Sequence, residues 1–210
     1  MERKNYLEEA NKEYDYKFYV KFKKFVLLWM KLFYRIQING IENIPKDENY
    51  LLSANHLNIL DSWLLIAVTK HNLRFMVDQK LYYTKLGKRL FKKVGTFEVD
   101  PSGNDQRKNQ GAIGTAIALL RSGEKVVIFP EGMTHPVDVY VPFKPGIPRI
   151  AKMCNTVLVP VGITGSYKPF HKLEVNIGTP INFKDLKLNK QEEEKYFEQK
   201  VRSLVPKKKK

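Results

Sequence analysis

Apolar and polar residues follow one another along the chain in blocks whose period switches between helical and strand-like. The first strong block is YKFYVKFKKFVLLWMKLFYRIQI, residues 16–38. In it Phe18, Phe22, Phe25, Val26, Trp29, Leu32, Phe33 and Ile36 recur at the spacings that draw one stripe on an α-helix. A helix is therefore expected over 16–38, with Lys17, Lys21, Lys24, Lys31 and Arg35 beside its stripe. Aromatic and aliphatic residues edged by lysine suit a helix lying in a bilayer interface, and also suit a helix packing on its own domain. Residues 1–15 are polar and read as a short arm or as first helical turns.

A connector rich in turn residues, 39–49, carries Gly40 and Pro45. Regular alternation follows. Residues 50–55, 74–78, 96–100, 125–130, 156–165 and 173–181 read as strands, and 60–70, 80–94, 111–123, 146–154 and 189–203 as helices. Strands alternating with helices imply an α/β domain, a mixed and mostly parallel sheet covered by helices. The expected division is an amphipathic membrane-docking helix in 1–38, the α/β domain in 39–205 and a basic tail in 206–210.

Charge narrows the partners. The chain carries 37 Lys+Arg against 22 Asp+Glu, a net charge of +15 that favours polyanions. Eight of those cations are Arg. Nucleic-acid readout leans on bidentate Arg, so a lysine excess fits a diffuse attraction to anionic membrane phospholipids, and no nucleic-acid partner is expected. The four closing lysines would add about 1 kcal/mol each near a charged bilayer. The same charge also fits plain solubility. The single cysteine, Cys154, leaves no internal disulfide and points to a reducing compartment. The first dozen residues hold no apolar signal core, and no uncharged apolar run reaches spanning length, so neither a secretory signal nor a spanning helix is expected.

Two segments carry candidate chemistry. In Ser53-Ala54-Asn55-His56-Leu57-Asn58-Ile59-Leu60-Asp61 an apolar strand runs into Asn-His, and an aspartate follows where a helix starts. A turn there would bring carboxylate to imidazole, fixing one ring nitrogen and leaving the other to take a hydroxyl proton. A loop histidine and a helix-capping aspartate would give the same pattern. In Phe129-Pro130-Glu131-Gly132-Met133-Thr134-His135 a carboxylate and a glycine follow a buried strand, the edge at which α/β sheets bind ligands. An ordinary turn also reads so. No histidine pair has zinc-helix spacing, Gly111 and Gly114 lack a dinucleotide fingerprint, and Ser53 and Ser166 lie in no nucleophile elbow.

Taken together and in this order, these segments resemble the glycerolipid acyltransferase family, in the branch that holds the 1-acyl-glycerol-3-phosphate acyltransferases. Val94-Gly95-Thr96-Phe97-Glu98-Val99-Asp100 is similar to the family's second block, and Val159-Pro160-Val161 to its fourth. Phe143-Lys144-Pro145-Gly146 ahead of a helix matches the chain that follows the Glu-Gly block. The resemblance spans residues 39–181. It implies acyl transfer from acyl-CoA or acyl-carrier protein to the free hydroxyl of a lysophospholipid, with no metal and no cofactor. The setting it implies is the cytoplasmic face of a membrane, with the enzyme peripheral or monotopic. His56 would be the general base and Asp61 its orienting partner, with Asn55, Glu131 and Gly132 at the acceptor. Pro101 stands where the second block normally ends in arginine, and Met133-Thr134 where the third continues Thr-Arg. Lys144, Arg149, Arg107 or Lys80, or backbone N–H groups at a helix start, would then have to meet a phosphate, with His135 a substitute donor for the lost arginine. Other outcomes are an acceptor without a phosphate monoester, or a non-catalytic lipid-binding domain.

Overall fold

The strand runs read above pair in a single sheet, its central strands carrying apolar side chains on both faces. A computed structural model describes residues 5–205, the side chains of Lys85 and Leu86 excepted. Its seven strands are β1 (Arg35–Asn39), β2 (Tyr50–Ala54), β3 (Leu73–Asp78), β4 (Phe97–Val99), β5 (Lys125–Ile128), β6 (Val157–Gly165) and β7 (Lys172–Ile177). They lie in the order β1-β7-β6-β2-β5-β3-β4. β6, β2, β5, β3 and β4 run parallel; β7 is antiparallel to β6 and parallel to β1. The sheet is mixed and mostly parallel, as the alternation implied.

Register explains the burial. Leu51 pairs with Val126 and Leu158, and Leu52 with Val127 and Val159. The two rows point to opposite faces and all six side chains are buried. On the Leu52 face lie α2 (Tyr16–Phe33) and α3 (Asp61–Val68), through Val26, Met30, Leu64 and Leu65. On the Leu51 face lie α6 (Gln106–Arg121), α7 (Ile147–Cys154) and α8 (Lys190–Ser203), through Ala116, Leu119, Ile150, Phe197 and Val201. Each such large apolar side chain contributes about 1.5–3 kcal/mol relative to exposure.

Several expectations are corrected. The helix expected over 16–38 ends at Phe33, and residues 35–39 form β1, with Ile36 opposite Leu173 and Ile38 opposite Val175. Arg-Ile-Gln-Ile-Asn has period two; Ile36 continued the helical stripe only because it falls three and four residues after Phe33 and Leu32. The sheet thus begins before residue 39. Residues 6–11 form a separate helix, α1, packed on α6, and a Cβ on Gly114 would lie 2.8 Å from the Tyr6 ring. Arg74, fully buried in β3, donates to the carbonyls of Ala10 and Gly95 and to Asn11 Oδ1, fastening this segment to the sheet. The helix expected over 80–94 is two, α4 (Gln79–Tyr82) and α5 (Lys85–Lys93), because Thr84 caps the second by accepting from Gly87 N at 3.1 Å. Asp105 starts α6 earlier than expected, accepting from Lys108 N at 2.9 Å. The strand expected to reach 181 stops at Ile177, with Ile181 bridging Leu158. The tail 206–210 lies outside the described residues.

The stripe of α2 divides between two surroundings. Tyr19, Val26 and Met30 are buried, and Phe22, Trp29 and Phe33 pack partly against the core. Trp63 of α3 lies steeply inclined to the rings of Phe22, Phe25 and Trp29 at centroid distances of 5.7, 6.2 and 5.4 Å. Phe25, Leu28 and Leu32 face outward at 54, 70 and 63% exposure. Among the described residues no helix is long and apolar enough to cross a membrane.

Candidate active site

Five parallel strands place their following loops at one edge of the sheet. In spatial order these loops carry Tyr167 after β6, His56 after β2, Glu131 after β5, and Lys80 and Asp100 after β3 and β4. Neighbouring strands are about 4.8 Å apart, so the loops of β6, β2 and β5 are in direct reach of one another.

The loop after β2 turns back so that Asp61, in the first turn of α3, meets the imidazole. His56 Nδ1 lies 2.8 Å from Asp61 Oδ2. Oδ2 also accepts the backbone N–H groups of Leu57 at 2.6 Å and Asn58 at 2.8 Å. Oδ1 accepts the hydroxyl of Tyr167. Asp61 is fully buried and the His56 side chain is 18% exposed. Because the carboxylate only accepts, the proton sits on Nδ1 and the lone pair on Nε2 is left for another group. Phe129 lies flat on the imidazole, with centroids 4.0 Å apart and planes 11° off parallel.

The Glu-Gly loop holds the histidine by its main chain. His56 N donates to Glu131 Oε2 at 2.6 Å, and His56 O accepts from His135 N at 3.0 Å. His135 Nδ1 donates to Pro136 O at 2.8 Å, while its Nε2 lies 2.9 Å from Glu131 Oε1, off the hydrogen-bond line. The sequence offered Glu131 and His135 to the acceptor. The structure turns both inward, with side chains 1 and 8% exposed. Asn55 is likewise committed, its amide donating to Ile163 O at 3.0 Å and accepting from Ile163 N at 2.6 Å. It stitches β2 to β6 and has no exposed face to offer a ligand. These side chains are spent on the loops because buried polar groups cost most when left unpaired.

The expected phosphate cations separate into groups. Gly132, at φ +70°, leaves room that Lys144 fills; a Cβ there would stand 2.7 Å from Lys144 Cε. Lys144 N donates to Pro130 O at 2.8 Å, and its Nζ reaches Pro101 O at 2.8 Å. Lys144 thus reaches Pro101, one of the two positions where an arginine was expected, from beside Gly132 of the Glu-Gly block. Arg107 and Lys80 line, with Asp100, Ser102 and Asn104, a cleft of about 840 Å³ farther along the same sheet edge. Arg149 is exposed in the first turn of α7. Among the described residues no three His, Cys, Asp or Glu side chains converge as a metal ion would require.

Tyr167 and the stacking role of Phe129 were not legible in the sequence. Tyr167 lies 106 residues from Asp61, and no local pattern links them.

Known proteins place this geometry. The acyltransferase family model matches residues 35–164. The 1-acyl-sn-glycerol-3-phosphate acyltransferase of Bacillus subtilis is 31% identical over 71% of this chain and 75% of its own length. A chloroplast 1-acyl-sn-glycerol-3-phosphate acyltransferase of Arabidopsis thaliana is 27% identical over 70% of this chain and 42% of its own. The crystal structure of the 1-acyl-sn-glycerophosphate acyltransferase PlsC from Thermotoga maritima superposes with a TM-score of 0.71, at 26% identity, over 90% of this chain and 77% of that one. A family model covering more than half of the chain, on a sheet whose edge presents an aspartate-fixed histidine, makes this protein a member of the acyltransferase family and an acyltransferase.

Proposed function

We propose that this enzyme transfers a fatty acyl group from a thioester, acyl-CoA or acyl-carrier protein, to the free hydroxyl of 1-acyl-glycerol-3-phosphate, giving phosphatidate in phospholipid biosynthesis. The observation that carries the chemistry is His56, with Nδ1 fixed 2.8 Å from buried Asp61 and Nε2 left open. Nε2 takes the hydroxyl proton as the oxygen attacks the thioester carbonyl. The tetrahedral intermediate then expels the thiolate as the C–S bond breaks, and the imidazolium returns its proton to the sulfur. Asp61 supports the imidazolium while it lasts. A thioester is already activated, so a base and stabilisation of the oxyanion suffice for the step.

Lys144 is the cation proposed to meet the acceptor phosphate, as a point charge in place of two arginine forks. Its bond to Pro101 O is exposed and exchangeable for a phosphate oxygen. Docking is proposed to be peripheral. The outward row Phe25, Leu28 and Leu32 is flanked by exposed Lys17, Lys21, Lys24 and Lys31, the composition of an interfacial helix. Exposed Ile59 and Phe170 lie in the loops that carry His56 and Tyr167.

Pro101 and Thr134 favour one second reading, the same transfer to an acceptor without a phosphate monoester. Thioester consumption with lysophosphatidate liposomes, measured beside His56→Ala, tests both. Turnover lost only in the variant supports the first reading. A well-folded, fully active His56→Ala rejects the base assignment. Wild-type turnover with a neutral lysolipid but not with lysophosphatidate selects the second reading.

A further inference from the structure

The Asp61 carboxylate has two oxygens with different surroundings. Oδ2 collects the imidazole and the two backbone N–H groups of its own loop, while Oδ1 is met by a residue of the neighbouring loop after β6, Tyr167. Asp61 is fully buried, so its donors come from the protein. Tyr167 is held at both ends of its loop. Ser166 N donates to Lys172 O at 3.1 Å, and Phe170 N donates to Phe33 O at 2.6 Å. Tyr34 packs its ring edge-on to Tyr167 at 5.8 Å and donates its hydroxyl to Tyr167 O at 3.3 Å. Burial first, and the Asp61 carboxylate second, hold the phenol well above its ordinary range, so it stays a neutral donor.

Oδ2 alone would let the carboxylate pivot about its bonds to Leu57 and Asn58. A hydroxyl on Oδ1, fixed from a second strand loop, removes that freedom. We propose that Tyr167 is a positioning residue whose hydroxyl orients the Asp61 carboxylate, and thereby keeps the proton on His56 Nδ1 and the lone pair of Nε2 toward the acceptor hydroxyl. This rests on reading His56 as the general base.

Tyr167→Phe keeps the ring and its packing and removes only the hydroxyl. It is expected to lower kcat by about tenfold to a hundredfold, the range for a hydrogen bond to a charged group, with KM for both substrates within about twofold. The ¹⁵N shifts of the His56 ring are expected to report one Nδ1–H tautomer in the wild type and a mixture in Tyr167→Phe. Tyr140→Phe deletes an exposed hydroxyl that bonds Glu198 and neither Tyr167 nor Asp61, and is expected to keep both kcat and the single tautomer. Wild-type kcat or an unchanged tautomer in Tyr167→Phe overturns the proposal, as does an equal loss of kcat in both variants. The tautomer needs no substrate, so failure of the acyl-transfer reading would appear separately, as absent wild-type turnover.

Discussion

Glu131 Oε2 accepts the backbone N–H of His56 at 2.6 Å, so the carboxylate of one motif holds the main chain of the other. Both lie at the ends of adjacent parallel strands, β5 and β2. Glu131→Ala leaves that buried N–H without its partner. We expect a stability loss of about 1–3 kcal/mol in urea unfolding, together with a fall in kcat. Glu131→Gln retains an acceptor oxygen and should recover most of the stability. If Glu131 served only the acceptor, the alanine variant would raise KM and leave unfolding unchanged.

Gly132→Ala should act through Lys144. At φ +70° a side chain costs about 1–2 kcal/mol, and the added Cβ must displace Lys144 Cε from 2.7 Å. The expected result is a lower melting temperature and a raised KM for a phosphate-bearing acceptor, with the KM for the thioester unchanged. Lys144→Met should give the same KM change without the loss of stability.

The outward row of α2 separates docking from folding. Leu28→Glu with Leu32→Glu changes side chains that are 70 and 63% exposed, where each substitution alters stability by about 0.5 kcal/mol or less. Sedimentation with anionic vesicles should show the double variant released while its melting temperature is kept. Retained vesicle binding would mean that this row does not face the bilayer.

Lys23 gives the fold a pH signature. Burial lowers its ammonium to about 8 from the ordinary 10.5, while Nζ donates to His71 O at 2.7 Å. Between those values the unfolded chain binds more protons than the folded one, so this residue's contribution to stability rises with pH. The buried phenols, Tyr50 among them, are pushed up and act in the opposite sense above pH 10. Wild-type melting temperature should therefore rise relative to Lys23→Met between pH 8 and 10. A constant difference across that window would refute the assignment.

The sequence by itself determined the layers and the His56–Asp61 pair. Apolar runs such as 50–54 and 157–163 must be covered on both faces, which dictates a helix-flanked parallel sheet. A histidine five residues before an aspartate at a strand-to-helix turn is a local arrangement, closed by the loop's own N–H bonds to Asp61. Tertiary structure decided what lies far apart in the chain. Period-two residues 35–39 became a strand because β7 offered an edge 137 residues away. Asn55, Glu131 and His135 look like ligand groups in the sequence, yet close packing of the loops after β2, β5 and β6 gave each an internal partner. Tyr167 reached Asp61 only because β6 lies beside β2. A polar side chain's role is set by which donors and acceptors burial leaves within about 3 Å of it, and that is a property of the assembled sheet.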